Sequence, residues 1–574
     1  MKHRTTGVAT QPSYAFPRPL RSTAVLAAAF AALCCLSLPS AAQSTAATQL
    51  QAFIDSYVAE NEHPKLTSLS AQSFTEELAK TQADLKRLRA IDTTKLTLDE
   101  QIDWEFGHSI LRGDEIEQQL TQPWKKDPRV YMRFNDIARA IGQPGEISAK
   151  ADDVLSRLKL VPEQIENGRK NLEQYVPRFQ ELSVFMATGA VSMLDRDVPA
   201  FARTVPGPKQ PQLLQAAAAA KRSMEGYIRF LETDLPKRPA GDFAIGAAAY
   251  NAILKDQYLL SYDVDSLFEF AKQEFDKTVA EMEAVARKID PGKTWQQLCE
   301  EIKNDYPDPH KMIEVHQEWV DKAKQHILSK GLVPIPWKER ANVVPRAEYL
   351  RKYSYYGNFS RARKPDAQGV LVAEWMINPF EDQWDEKTKN EYLVEHDYGV
   401  IIVTAPHETY AGHHVQGLYQ MHNPSKLRRT NGISIFSEGW GLYNEQLMRE
   451  TGFFPNDRIV LRALQLRLWR NARVIWDVGI HSGKMSYEEA ISLLSDRVGF
   501  LRWAAQLEVD GSAASPVYRI GYFLGMSEIL RLRADYQKLM GDKFTLSDFH
   551  EKLLKVGNMP PALMRKGLLA SITE

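Results

Sequence analysis

Cysteine is scarce in this chain. Of 574 residues only Cys34, Cys35 and Cys299 are cysteine. The first two lie in an apolar N-terminal stretch, so the remainder holds one thiol and cannot form an internal disulfide. Cys299, at helical spacing from Trp295, reads as a packing residue rather than a catalytic thiol. Stability must therefore come from an apolar core, for which the length and 44% hydrophobic content suffice. Charge of one sign is lacking too. The 72 Lys and Arg nearly balance 73 Asp and Glu, and no basic run stands out, which argues against a nucleic-acid partner. Beyond the N-terminus no apolar run approaches the ~20 residues of a membrane span.

What is present begins with a secretory signal. Lys2, Arg4, Arg18 and Arg21 precede an apolar stretch to Leu38, and Pro39-Ser40-Ala41-Ala42 offers small residues for cleavage, most simply after Ala42. Residues 1–42 are thus expected to be a signal peptide. The mature protein would be secreted into a bacterial periplasm, without stable membrane association. A lipid-bearing Cys34 or Cys35 fits poorly, because Leu33 and Cys34 are bulky for the preceding position.

Helical periodicity follows. A polar linker over residues 43–48 leads to apolar residues at steps of three and four in Leu50–Tyr57, Phe74–Leu88, Leu98–Leu120, Leu213–Leu231 and Leu267–Ala286. Residues 151–185 read as a long helix interrupted near Pro162 and Pro177. His310, His316 and His326 fall on one helix at steps of six and ten, which keeps their rings apart, so they read as surface or packing residues. After Gly331 the character changes. Residues 369–375 read as a strand, and 399–403 as a strand or as the buried start of a helix. Such a strand would be either a structural hairpin or an edge for an extended peptide. The Arg-rich segment Leu461–Ile480, with Arg462, Arg467, Arg470 and Arg473, reads as a helix with a solvated, ion-paired face. The expected organisation is an N-terminal helical region, 43–330, and a metal-binding catalytic region, 331–574, in one continuous fold.

The chemistry concentrates in His407-Glu408-Thr409-Tyr410-Ala411-Gly412-His413-His414-Val415-Gln416 and, shortly after, Ser437-Glu438-Gly439-Trp440. The nearest template is H-E-x-x-H, in which two histidines one turn apart hold zinc and the Glu acts as base. Here the steps are six to His413 or seven to His414, and on a straight helix those rings would stand ~9–10 Å apart along the axis. A bulge or break must close the gap, and Gly412 tolerates one. Two looped-out residues make His413 the second ligand, three make it His414, and the smaller distortion favours His413. Glu438 is the candidate third ligand. Glu445, seven residues on, shares its helix face and could orient a ligand histidine from behind. Asp477 and His481, four apart, form either a buried structural pair or a donor to the reaction's oxyanion with its orienting carboxylate.

H-E-x-x-x-G-H-H-x-Q followed by E-G-W-x-x-Y-x-E resembles the signature of the bacterial domain-of-unknown-function 885 family. Asp477-Val478-Gly479-Ile480-His481 and Tyr518-Arg519-Ile520-Gly521 add to the resemblance. Ala411 departs from it, since that family often carries Pro there. The family in turn resembles gluzincin-type zinc peptidases such as thimet oligopeptidase and angiotensin-converting enzyme. The resemblance implies a mainly α, large multi-helical, two-lobed fold with a small β element near the metal. It also implies Zn²⁺ on His407, His413 and Glu438, Glu408 as general base, and Tyr518 with His481 at the oxyanion. Arg519 could grip a substrate carboxylate. The expected activity is hydrolysis of short peptides. The alternatives are a zinc hydrolase of esters or non-peptide amides, and a non-catalytic periplasmic binding protein.

Overall fold

The computed structural model describes residues 41–62, 65–142, 145–346, 351 and 357–572. Residues 1–40, with Cys34, Cys35 and nearly all of the expected signal peptide, lie outside the described residues. No helix among the described residues is long and apolar enough to cross a membrane.

Local rules build the helices as the periodicity suggests. In Val264–Ile289 the Asp263 side chain caps the first turn in a reciprocal box with Ser266, and Leu267, Ala271, Phe275, Met282 and Val285 fall on one buried stripe. Two expectations are corrected and one open alternative is decided. The linker at 43–48 is part of the helix Ala41–Glu62, because Ala46, Leu50, Phe53, Ile54 and Val58 form a single buried face. Pro162 does not interrupt its helix. Ile147–Asn171 runs through it, held by buried Leu158, Val161 and Ile165 on both sides, whereas Pro177 opens the next helix at a position needing no N–H donor. Of the two readings of residues 399–403 the structure takes the second: they are the buried start of the helix Tyr398–Glu408, opened by Asp397, whose Oδ1 accepts from the Val400 N–H at 3.0 Å.

The fold is mainly α, with one small sheet. Its strands β1 (Glu339–Pro345), β2 (Asn358–Ser360) and β3 (Leu371–Ile377) lie in the order β1-β3-β2. β1 runs parallel to β3, with Val343 opposite Trp375, and β2 runs antiparallel to it, with Phe359 opposite Trp375. The expected strand is therefore real but starts at Leu371, because Gly369 at φ +73° turns the chain beforehand.

Buried apolar residues gather in two clusters. One lies within Leu69 and Tyr131–Leu235, among the helices of that segment. The other spans Ala46 to Leu568 and joins the first helices to the last. Through it runs Asp457–Ser482, buried on nearly every side. That corrects the solvated Arg-rich face: Arg462, Arg470 and Arg473 are buried, since apolar residues surround the whole circumference of this helix and leave it no water-facing side. Beside it, Ser434–Glu450 crosses Gly521–Met540 so closely that a Cβ at Gly439 would stand 2.5 Å from the Gly525 Cα.

Candidate metal site and its cavity

Helix Tyr398–Glu408 carries His407 and Glu408 on its last turn. Asp397, which caps its start, is also gripped by Arg462 through Nε at 3.1 Å and Nη2 at 2.7 Å, so this helix is tied to Asp457–Ser482. The chain leaves helical geometry at Thr409 and resumes it at His413, which opens His413–Met421. Gly412 makes the turn: its N–H donates to the Pro406 carbonyl at 3.0 Å, and any Cβ there would collide with the His407 carbonyl. Trp440 pins the same turn from the neighbouring helix, its indole N–H donating to the Ala411 carbonyl at 2.8 Å. The break folds a six-residue step back on itself and brings the His407 and His413 rings to 4.9 Å between centroids.

The two histidines meet a carboxylate. Glu438 Oε2 lies 3.5 Å from His413 Nε2 and 3.9 Å from His407 Nε2. Ligand atoms of tetrahedral zinc, each ~2.0–2.1 Å from the ion, stand about 3.3–3.4 Å apart. Glu408 also brings an oxygen into this cluster, one atom each of His407, Glu408 and His413 lying within 4.8 Å of one another. On the far side of His407, Glu445 Oε1 accepts from Nδ1 at 2.8 Å, so the proton a metal ion would displace is the one on Nε2. Gly441 makes room, since a Cβ there would stand 2.6 Å from the His407 ring. Burial would lower the His407 pKa, but Glu438 and Glu445 reverse this and push it up to about 10. Desolvation would raise the Glu438 pKa, but the two imidazoles hold it well below the usual carboxylate range. The donor set and its field suit a divalent cation.

His414 turns the other way. Its Nε2 meets Glu339 Oε2 at 2.5 Å, the Tyr410 hydroxyl donates to the same oxygen at 2.6 Å, and Lys324 Nζ pairs with Oε1 at 2.7 Å. His414 thus anchors the turn to β1. Nothing in the sequence around Glu339 signals this partnership, which depends on a contact between residues far apart in the chain.

Glu408, His407, His413 and Glu438 line a cavity of about 440 Å³. β2 contributes Asn358 and Phe359, and Asp457–Ser482 contributes Arg462, Leu466, Trp469, Arg470 and Arg473 from one face. Tyr518, 41% exposed, also lines it and donates its hydroxyl to Glu438 Oε1 at 2.8 Å. Behind Tyr518 stands Asp477, whose Oδ1 accepts from the Val517 N–H at 3.0 Å and the Tyr250 hydroxyl at 2.7 Å. Val517 is left-handed at φ +67°, a strained state for a β-branched residue that the Asp477 contact holds.

His481 is not brought to the cavity. It is wholly buried and meets the Ser512 carbonyl through Nε2 at 3.0 Å. Arg519 is likewise elsewhere, near Glu508 and packed against Gly511. Of the three histidines read as surface or packing residues, His310 is largely exposed and His326 meets the Thr451 hydroxyl. His316 differs: it lines the cavity beside His396, another group the sequence does not single out.

Fold and site together define a mainly α-helical protein with a His-Glu-His-Glu cluster opening on an internal cavity. The chain belongs to the family described as bacterial protein of unknown function, DUF885, which matches residues 47–568. No curated protein matches it. Among solved structures it is similar to one described as "a putative lipoprotein of unknown function" from Shewanella oneidensis, with TM-score 0.77 and 22% identity over 91% of this chain and 99% of that one. It is also similar to "the putative lipoprotein" from Colwellia psychrerythraea, with TM-score 0.73 and 17% identity over 93% of this chain and 99% of the other. These likenesses establish the fold.

Proposed function

We propose that this protein is an exported, zinc-dependent peptidase acting on short peptides. The observation that carries the proposal is the convergence of His407, His413 and Glu438, with Glu408 beside them and Glu445 behind His407. His407, His413 and Glu438 would hold Zn²⁺, which when bound supplies Lewis acidity towards the substrate carbonyl and acidity to water, whose pKa falls to ~7. Glu408 takes the proton of the attacking water and returns it to the leaving amine. The Tyr518 hydroxyl, already aimed at Glu438, donates to the carbonyl oxygen as charge develops there. A cavity of about 440 Å³ admits a few residues of peptide and excludes folded proteins. Export is supported by the N-terminal sequence and by the lipoprotein descriptions of the two similar structures, which favour an envelope or extracellular setting.

The test is Glu408→Gln. It should keep one zinc per chain and lose cleavage of a short-peptide library by at least ~10²-fold. Cleavage at the wild-type rate would refute the role of Glu408. Absence of zinc in wild-type protein after reconstitution would refute the metal site.

A further inference from the structure

Among the charged groups of the cavity to which the proposed chemistry gives no task, Arg470 is the buried one that lacks a direct ion pair. Arg470 is 6% exposed and lines the cavity, yet among the described residues no carboxylate forms an ion pair with it. Its Nη1 donates to the Leu466 carbonyl at 3.2 Å, and its Nε is buried without any partner. Glu445 and Glu508 act on it only through space, and a buried guanidinium without a direct ion pair is expensive. The Trp469 ring, 4.1 Å beneath it, offsets only part of that cost. Arg473 stands over the same ring at 4.2 Å, but its Nε and Nη2 both meet Glu508 at 2.9 Å, so its charge is answered. Arg473 also lies 4.6 Å over Tyr522, which in turn stacks on His407 at 6.3 Å. A continuous stack therefore joins the unanswered cation to the candidate metal ligands within one cavity.

We propose that Arg470 receives a carboxylate of the substrate, so that the cavity selects peptides with a free carboxylate close to the bond that is cut. This rests on the peptidase reading of the same site and adds the substrate's charge to it. A guanidinium matches a carboxylate through two parallel N–H donors, and here the anion would also supply the direct ion-pair partner that Arg470 lacks. The carboxylate comes either from the peptide's C-terminus or from an acidic side chain. The chemistry is shared, and the experiment separates the sources.

The experiment uses zinc-loaded Glu408→Gln protein, which should bind without turnover. It is titrated calorimetrically with short peptides of one core sequence, bearing a C-terminal acid or amide and a Glu or Gln side chain. One of the two exchanges, acid to amide or Glu to Gln, should weaken binding about 10- to 100-fold, as loss of a charged hydrogen-bonded pair does. Which exchange matters identifies the source. Arg470→Gln should abolish that difference and Arg470→Lys should restore part of it. If neither exchange alters binding, or if no peptide binds, the proposal is overturned without recourse to a variant at 470. The peptidase reading fails separately: wild-type protein that cleaves none of these peptides, while Glu408→Gln still prefers the charged form, would leave the carboxylate site standing.

Discussion

At the scale of single residues, two adjacent histidines have opposite assignments. His413 faces Glu438, while His414 is committed to Glu339. His413→Ala should therefore reduce zinc content to background with the fold retained. His414→Ala should keep zinc but lower the melting temperature, because Glu339 and Tyr410 lose a buried partner, a loss of about 1–3 kcal/mol. Metal analysis and thermal denaturation of the two variants distinguish these effects, and loss of zinc only with His414→Ala would reverse the assignment. Behind the site, Glu445→Gln weakens the hold on His407 Nδ1, and zinc affinity by competition titration should fall about 10- to 100-fold. Spacing alone showed that the step of six needed a break and that Gly412 could supply it. It favoured His413 through the smaller distortion, but the contacts that fix the choice, with Glu339 and Trp440, are distant in sequence.

At the scale of elements, the site is a joint between helices. Asp397 caps the helix bearing His407 and at the same time neutralises Arg462. Asp397→Ala removes the cap and strands a buried guanidinium, so it should destabilise the protein by about 4 kcal/mol in chemical denaturation. A shift below ~1 kcal/mol would show the pair to be dispensable. Asp477 acts at a second joint, holding the strained Val517 that precedes Tyr518. Asp477→Ala should lower kcat through a misplaced Tyr518 while zinc content stays at one per chain; unchanged kcat would show that Tyr518 needs no such support. Most helices were legible from their periodicity and β3 from its apolar run, whereas β1 and β2 were not, since β2 has three residues and β1 ends at Pro345. The burial of the Arg-bearing helix was not, because Arg462, Arg470 and Arg473 look like a surface face until the apolar residues around the rest of the circumference are counted.

At the scale of the whole molecule, stability rests on the core and on buried neutral groups, since Cys299 is the lone cysteine among the described residues and is buried. His316, His396 and His550 each meet a main-chain carbonyl through Nδ1. Burial lowers their pKa values from 6.5 to about 3, about 4 and about 4. Unfolded, each takes up a proton near pH 6.5; folded, each resists until near pH 3–4. The unfolded state therefore binds more protons across that window, and stability is lost as pH falls through it, on the order of 3 kcal/mol per histidine. Urea midpoints measured from pH 7 to pH 4 should decline steadily, and a flat profile would contradict the burial of these rings. The sequence by itself determined the helical class, the family and the donor types around His407, because periodicity, caps and spacing are local properties of a chain. The tertiary structure alone decided that His413 rather than His414 faces Glu438, that His481 stays away from the cavity, and that Arg470 enters it. Each of these depends on which distant residue occupies the space beside a side chain, and packing sets that only once the whole core has formed.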